Sequence, residues 1–302
     1  TMNDIIVPKI KRKGFKVGED LFVAHCPERV LPGNILYEMI HNDRIVGGIT
    51  LACSEKVAQL YQTIIKGNVI QTNATTAETV KLIENTFRDV NIGLVNEIVR
   101  ICHDLEIDGL DVIKLANMHP RVNLLQPGPG VGGHCLATDP YFLISTSPEQ
   151  SQLIHIARMV NEQMPQFVVD VVEQLSLRHR IEKLTLLGLT YKGNCSDMRN
   201  SPGVTVYNEL CRKGLYDVVA YDPYIDAPYV EKDIDKAVNG SSLLLILTDH
   251  DEFKDLSFID FSLMDHPQVF DTKRVVERYE QPIVYMHLGN VHQYTRKKLA
   301  SL

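Results

Sequence analysis

The chain has 302 residues, 44% hydrophobic and 23% charged, with a formal net charge of −7. That composition belongs to folded globular proteins of one or two domains, and a net negative charge argues against nucleic-acid binding and leaves any anionic ligand dependent on local cations. No apolar run approaches the roughly 18 residues of a membrane span, Thr1 to Asp4 lack the basic and apolar regions of a signal peptide, and the cysteines at 26, 53, 102, 135, 195 and 211 show no CxxC pair or zinc spacing, so free thiols in a reducing cytoplasm and no metal are expected.

Residues 1 to about 72 read as the end of an α/β domain. Leu21 to Ala24 is a short apolar strand leading into Cys26-Pro27-Glu28-Arg29, Arg44 to Gly48 is a second strand, and Asn68 to Ile70 a third. Ser54 to Ile65 has helical spacing, and Ser54 has the chemistry of an N-cap. No glycine-rich strand-to-helix turn precedes these elements, so the chain is expected to begin within a domain.

From Thr75 to Glu106 the period becomes helical. Ile83, Phe87, Val90, Leu94, Ile98, Ile101 and Leu105 recur at three and four, which predicts one helix of roughly 30 residues with an apolar stripe. Such a length exceeds that of most globular helices and suits a helix that spans domains or makes a dimer contact. Lys81, Asn85 and Asp89 stack on another face at i, i+4 and i+8. They read either as a solvated polar face or, together with Asn91 and Asn96, as partners in a site, because Asn is a poor helix former.

Asp111 to Asn117 is a shorter helix ended by His119-Pro120, and 151–178 is a long one containing Pro165. Apolar strands follow at 184–187, 218–221, 243–247, 269–271 and 283–285. Helices alternate with them, one starting at Ser201-Pro202 and one spanning Asp233 to Val238. This alternation predicts a parallel sheet covered on both faces. Ligands of such sheets sit at the carboxyl ends of the strands, here near Lys192, Arg199, Asp222, Asp249 and Asp271 to Arg274.

Between the helical segments lies Gln126 to Asp139, QPGPGVGGHCLATD. A glycine and proline run leaves the backbone open to a ligand. A thiol at its end is placed to act as a nucleophile, with Asp139 four residues on to orient water or take a proton. On spacing alone the stretch reads equally as a tight turn carrying an ordinary free cysteine. Gly128, Gly130 and Gly133 match G-x-G-x-x-G. That pattern requires a strand before it and a helix after it, and here Asn123 to Gln126 is a poor strand, Pro127 and Pro129 interrupt the turn, and His134-Cys135 follow it. The dinucleotide reading is rejected.

Four segments taken in order, CPERVLPG (26–33), KLIENTFRDVNIGLVNE (81–97), HPRVNLLQPGPGVGGHCLATDP (119–140) and LGLTYKGNCSDMRNSP (187–202), resemble the UDP-glucose/GDP-mannose dehydrogenase family over nearly the whole chain. NTFRDVNI, HPRVN and QPGPGVGGHC favour its branch acting on UDP-N-acetyl-D-mannosamine. The resemblance implies an α/β architecture in three parts. Residues 1–72 would be the C-terminal remnant of an NAD-binding Rossmann domain, 73–180 a central helical domain carrying catalysis and dimerisation on the long helix, and 181–302 a Rossmann-like parallel-sheet UDP-binding domain. With the G-x-G-x-x-G turn and the acidic ribose-binding residue missing, the chain is expected not to turn over alone.

The implied chemistry is oxidation of a sugar C6 alcohol to the acid in two NAD-dependent hydride transfers. Cys135 would form a thiohemiacetal and then a thioester, for which sulfur is suited as nucleophile and leaving group. By the same resemblance, Lys81 and Asn85 stabilise the developing alkoxide, Asp139 activates water, and Glu28 assists thioester hydrolysis. The loop 121–130, with Arg121, Gly128, Gly130 and then Gly132, would cover the UDP, its amides suiting a pyrophosphate. Lys192, Lys273 and Arg274 would reach the sugar nucleotide or its phosphates, in part across a subunit boundary, and Arg199 the NAD side. His134 receives no role. Two other readings stand beside this one, a non-catalytic nucleotide-sugar binding or regulatory protein and a structural homodimer built on helix 75–106. A thiol hydrolase is excluded by the want of a His–Asp pair at a recognisable spacing.

Overall fold

The structure, a computed structural model, describes residues 1–30, 34–280 and 282–295. The chain divides into two compact units, residues 1–86 and 87–302. Leu31 to Gly33, the end of the CPERVLPG segment, lie outside the described residues.

In the first unit a wide helical turn, Met2–Ile6, leads into α1 (Val7–Arg12). Strand β1 (Ala24–His25) begins where the apolar run 21–24 ends and pairs antiparallel with β2 (Arg44–Gly48); β2 pairs parallel with β3 (Val69–Asn73), from Arg44↔Val69 to Gly48↔Asn73. Between them lie α2 (Ile35–His41) and α3 (Leu51–Gln62). The cap of α3 is Thr50 rather than Ser54. Thr50 has the extended backbone a cap needs and its Oγ1 accepts from Cys53 N. Ser54 is buried one turn in, where its hydroxyl accepts from Gly48 N and donates to Thr72 O, both at 3.0 Å, tying β2 to β3.

Helix α4 (Ala74–Asp104) starts directly after β3 and continues into the second unit. Its length agrees with the periodicity, and much of its apolar stripe lies outside the core. Phe87 and Ile101 are 60% and 51% exposed and Leu94 and Leu105 are exposed with them, whereas Asp89 and Asn96 are fully buried. The physical reason is that the polar groups are consumed in bonds to α7 and to the loop at Gly128, while Val95 and Val99, with partly buried Ile98, give the inner side its apolar contact with the core. After α4 come α5 (Gly109–Ala116), whose first turn is capped by Asp108 Oδ1, an irregular loop, α6 (Asp139–Thr146) and α7 (Gln152–Ser176), which runs through Pro165.

The rest of the second unit is a six-stranded parallel sheet. Its strands are β4 (Lys183–Leu187), β5 (Asp217–Tyr221), β6 (Val230–Glu231), β7 (Leu243–Ile246), β8 (Gln268–Asp271) and β9 (Val284–His287), in the order β6-β5-β4-β7-β8-β9. That is the doubly wound order, with the switch point between β4 and β7. Helices α8 (Pro202–Lys213), α9 (Ile234–Val238) and α10 (His292–Thr295) complete it. Pro202 occupies the first turn of α8, behind a Ser201 cap bonded to Gly203 N. Side chains alternate between two cores. Leu184, Leu186, Leu243 and Leu245 meet Val168, Val172 and Leu175 of α7, while Leu187, Leu244 and Ile246 face Phe253 and Leu256. A strand covered on both faces reads as a near-continuous apolar run, and the one hydroxyl inside β4, that of Thr185, donates to Ala237 O. Among the described residues no helix is long and apolar enough to cross a membrane.

Candidate active site

The Gly/Pro loop is seated against three other segments of the second unit. Gly133 N donates to Arg199 O at 2.9 Å and Asn200 Nδ2 donates to Gly133 O at 3.2 Å. Gly133 adopts φ +83°, and a side chain there would meet the Tyr191 ring at 2.8 Å, so both conformation and space demand glycine. Gly132 is wedged against Tyr191 Cβ, Asn200 O and Pro202, and Gly130 against Asn161 O and Pro202. At the other end Gly128 lies under the aliphatic stem of Lys273.

The loop ends in Cys135, half-buried, whose carbonyl accepts from Thr138 N (3.0 Å) and Asp139 N (2.8 Å) in the turn that starts α6. Asp139 is the first residue of α6, preceded by Thr138. A carboxylate in a first helical turn is favoured by the helix dipole.

Gathered around this loop are the ends of β4 and β8. Lys192 is exposed between Tyr191 and Gly193, its carbonyl accepting from Thr190 Oγ1 and from Cys195 Sγ. The stretch carrying it is pinned to the sheet. Asp222, buried at the end of β5, accepts from Leu189 N and Thr190 N, His250 Nδ1 accepts from Asn194 N, and Asp249 accepts from Gly193 N. Asp271 is likewise consumed inside the fold, accepting from Lys273 N, Val276 N and the Tyr285 hydroxyl. Thus Asp222 and Asp271 shape the edge of the sheet, and Lys192, Lys273 and Arg274 are the cations presented there. Arg274 is exposed with φ +50°, an uncommon conformation for a non-glycine residue.

Arg199 is exposed and held by Asp197, which accepts from its Nε and Nη2 at 2.6–3.1 Å. That guanidinium, with the Arg199 amide, holds the Asp197 carboxyl down at about 2. Cys135 lies within electrostatic reach of both Arg199 and Tyr191. Arg121 is exposed on the loop, its amide donating to His119 Nδ1, and His134 is exposed beside Cys135.

The remaining candidates belong to the first unit. Lys81 and Asn85 share one side of α4, both partly buried. Glu28 accepts from Arg29 N and Val30 N and pairs with buried Arg44 at 3.3 Å, while the neighbouring Arg29 reaches Glu84 of α4 at 2.9 Å. The Cys26–Arg29 loop is thereby tethered beside the stretch of α4 that carries Lys81 and Asn85. Burial pushes the Glu28 carboxyl up, but the two amides and Arg44 outweigh it and hold Glu28 below the usual carboxylate value.

A group of residues that composition and spacing did not single out as a unit lies beneath the loop. Asp89 Oδ1 accepts from Arg158 Nη1 (2.6 Å) and Asn161 Nδ2 (2.9 Å), Asn161 Nδ2 also donates to Asp89 O, Asn96 Nδ2 donates to Asn161 Oδ1 (2.9 Å), and Asn96 Oδ1 accepts from Gly128 N (3.0 Å). Arg158 further bonds Glu162 and lies by the Tyr141 ring. Burial raises the Asp89 carboxyl above its ordinary value, with the Arg158 cation opposing the rise. The one available signal was the placement of Asp89 and Asn96 in a helix interior.

The NAD binding, central and UDP binding domains of the UDP-glucose/GDP-mannose dehydrogenase family match residues 1–65, 75–163 and 185–278 respectively. The chain is 43% identical over 263 residues to a UDP-N-acetyl-D-mannosamine dehydrogenase of Methanocaldococcus jannaschii, covering 85% of the chain and 61% of that protein. It is 41% identical over 260 residues to an NDP-N-acetyl-D-galactosaminuronic acid dehydrogenase of Ralstonia nicotianae, covering 84% and 61%. The chain thus spans less than two thirds of the length of these curated relatives. Among solved structures, a UDP-N-acetyl-mannosamine dehydrogenase from S. aureus superposes with a TM-score of 0.91 at 50% identity, covering 97% of this chain and 70% of the other.

Proposed function

Because this chain belongs to the UDP-glucose/GDP-mannose dehydrogenase family, we propose that it carries the nucleophile and the sugar-nucleotide site of an NAD-dependent UDP-sugar 6-dehydrogenase. The substrate that its relatives favour is UDP-N-acetyl-D-mannosamine, oxidised to UDP-N-acetyl-D-mannosaminuronate. The observation that carries this reading is the convergence of the Cys135 loop with Tyr191, Arg199, Asn200 and Lys273 at the carboxyl edge of the parallel sheet.

The diphosphate lies against the glycine loop, with Lys192, Lys273 and Arg274 supplying the positive charge that a chain of net −7 lacks overall. Cys135 Sγ adds to the C6 aldehyde left by the first oxidation, and the carbonyl oxygen takes up a proton. Lys81 and Asn85 stabilise the charge on that oxygen while it develops. Loss of the second hydride leaves a thioester. Water positioned by Asp139 attacks it, the thiolate departs and the carboxylate is released, with Glu28, held ionised by Arg44, accepting a proton.

Two NAD molecules, bound in succession, would each accept one hydride. Of this chain's residues Arg199 stands beside Cys135 and suits that side of the site. No strand–GxGxxG–helix turn occurs among the described residues, and Gly47 and Gly48 of β2 are closed by Ala77 and Ser54, so these residues supply no open cradle for the dinucleotide pyrophosphate. A homodimer formed through the exposed stripe of α4 completes the proposal.

The test joins this chain to a complete NAD-binding domain and follows NADH and acid formation with NAD and a panel of UDP-sugars, beside the same protein with Cys135→Ser. Acid formation from UDP-N-acetyl-D-mannosamine, abolished by the substitution, is expected. Acid formation that survives Cys135→Ser rules out the thioester route.

A further inference from the structure

Beneath the glycine loop, Asp89, Asn96, Arg158 and Asn161 are all 2% exposed or less. Buried charges and amides are costly unless bonded, and well-packed apolar residues often serve stability as well. Asp89 Oδ2 and Arg158 Nε have no hydrogen-bond partner among the described residues, so the group is not arranged for maximal pairing. What it does achieve is direction.

The Asp89 main-chain carbonyl can only accept, so the Asn161 atom 2.9 Å from it is Nδ2. Asn161 Oδ1 then faces Asn96, which presents its own Nδ2 at 2.9 Å. The atom of Asn96 left for Gly128 is Oδ1, an acceptor 3.0 Å from an amide that can only donate. Every orientation in the chain follows from the one before it, and the last fixes the loop. The same Asn161 braces the loop a second time, because its carbonyl lies 3.1 Å from where a side chain of Gly130 would begin.

We propose that Asn96, oriented by Asn161 and Asp89, is a positioning residue that holds the Gly128–Gly130 turn in the shape that receives the sugar-nucleotide diphosphate. The role rests on the UDP-sugar reading of the loop. Asn96 acts from behind the backbone and touches no ligand.

The test compares the chain with Asn96→Ala and Asn96→Asp, reading hydrogen exchange at the Gly128 amide and UDP binding by calorimetry. In Asn96→Ala, Gly128 is expected to exchange at least about tenfold faster while β4 and β7 keep their protection. UDP binding is expected to weaken about tenfold, equivalent to about 1.4 kcal/mol.

Asn96→Asp adds a pH signature. A protonated carboxyl can donate to Asn161 Oδ1 and still accept from Gly128 N, as the amide does, whereas the ionised form meets Asn161 Oδ1 with like polarity. The charges around it are Asp89, Arg158 and Glu162 behind Asn161, and Lys273 across Gly128. Its UDP affinity relative to the parent is therefore expected to approach unity near pH 5 and to fall toward pH 8, and this arm carries the test if Asn96→Ala does not fold. Unchanged Gly128 exchange in Asn96→Ala overturns the proposal, as do a flat pH ratio in Asn96→Asp and parent-like UDP binding with a freely exchanging Gly128. A parent that fails to bind UDP while Gly128 exchange responds as expected upholds the relay and overturns the UDP-sugar reading.

Discussion

Gly133 and Tyr191 meet so closely that neither can change independently. Gly133→Ala forces a side chain into left-handed backbone and against the ring, and it is expected to cost about 1–3 kcal/mol of stability, measured by denaturant unfolding. Asp197 offers a pH test of the neighbouring loop. Its carboxyl is held below its ordinary value of 3.8, at about 2. The stability that its pairing with Arg199 contributes is therefore fully present above about pH 4 and lost as pH falls through about 2. The pair lies at the surface, where solvent screens it, so the contribution is expected to be small. A stability difference between the parent and Asp197→Asn that persists at neutral pH and shrinks below pH 3.8 is the expected result. Cys135, Lys192 and Lys273 could be singled out in the sequence because unusual neighbours, a glycine run or a strand end, mark them. Asn96 and Asn161 could not be paired, since 65 residues separate them and only the crossing of α4 and α7 brings one amide to the other.

At the scale of elements, α4 is the helix whose extent was plain and whose orientation was not. A period of three and four locates an apolar stripe, but says nothing of what covers it. Here Phe87, Leu94, Ile101 and Leu105 are left outside while Asp89 and Asn96 go in. Leu94→Glu and Ile101→Glu are expected to convert a homodimer to monomer in analytical ultracentrifugation with little loss of monomer stability. A parent that is monomeric at high concentration sinks the dimer. The inner face predicts the opposite behaviour. Asp89→Ala strands the Arg158 cation with only half-exposed Glu162 for company, and it should cost about 3–5 kcal/mol in chemical denaturation. The ends of α4 were legible from periodicity, and the start of α8 from Ser201-Pro202, to within a residue or two. The cap of α3 was displaced from Ser54 to Thr50 because Ser54 serves the β2–β3 junction instead.

For the molecule as a whole, five of the six strands of the sheet were readable as short apolar runs, the two-residue β6 being too short to show one, and their carboxyl ends marked the place where loops with cations collect. Strand order was not readable, because the strands are similar short runs and none carries a mark of its neighbours. If the assembled edge binds a UDP-sugar, then ligand at a hundred times its dissociation constant should stabilise the native chain by about 2.7 kcal/mol, seen as a raised melting temperature. No shift at saturation removes the binding site.

The sheet order has a kinetic consequence. Strand β4 is central, yet Leu184 pairs with Val218 on one side and with the much later Leu243 on the other. Neither partner can be reached by a hairpin. The chain must close long crossovers before the first lasting contact across β4 and β7 forms, and non-local parallel pairing of this kind folds slowly. During that interval the apolar runs 184–187 and 243–246 are uncovered together, which makes the waiting chain prone to association with other copies long before its native surface is complete.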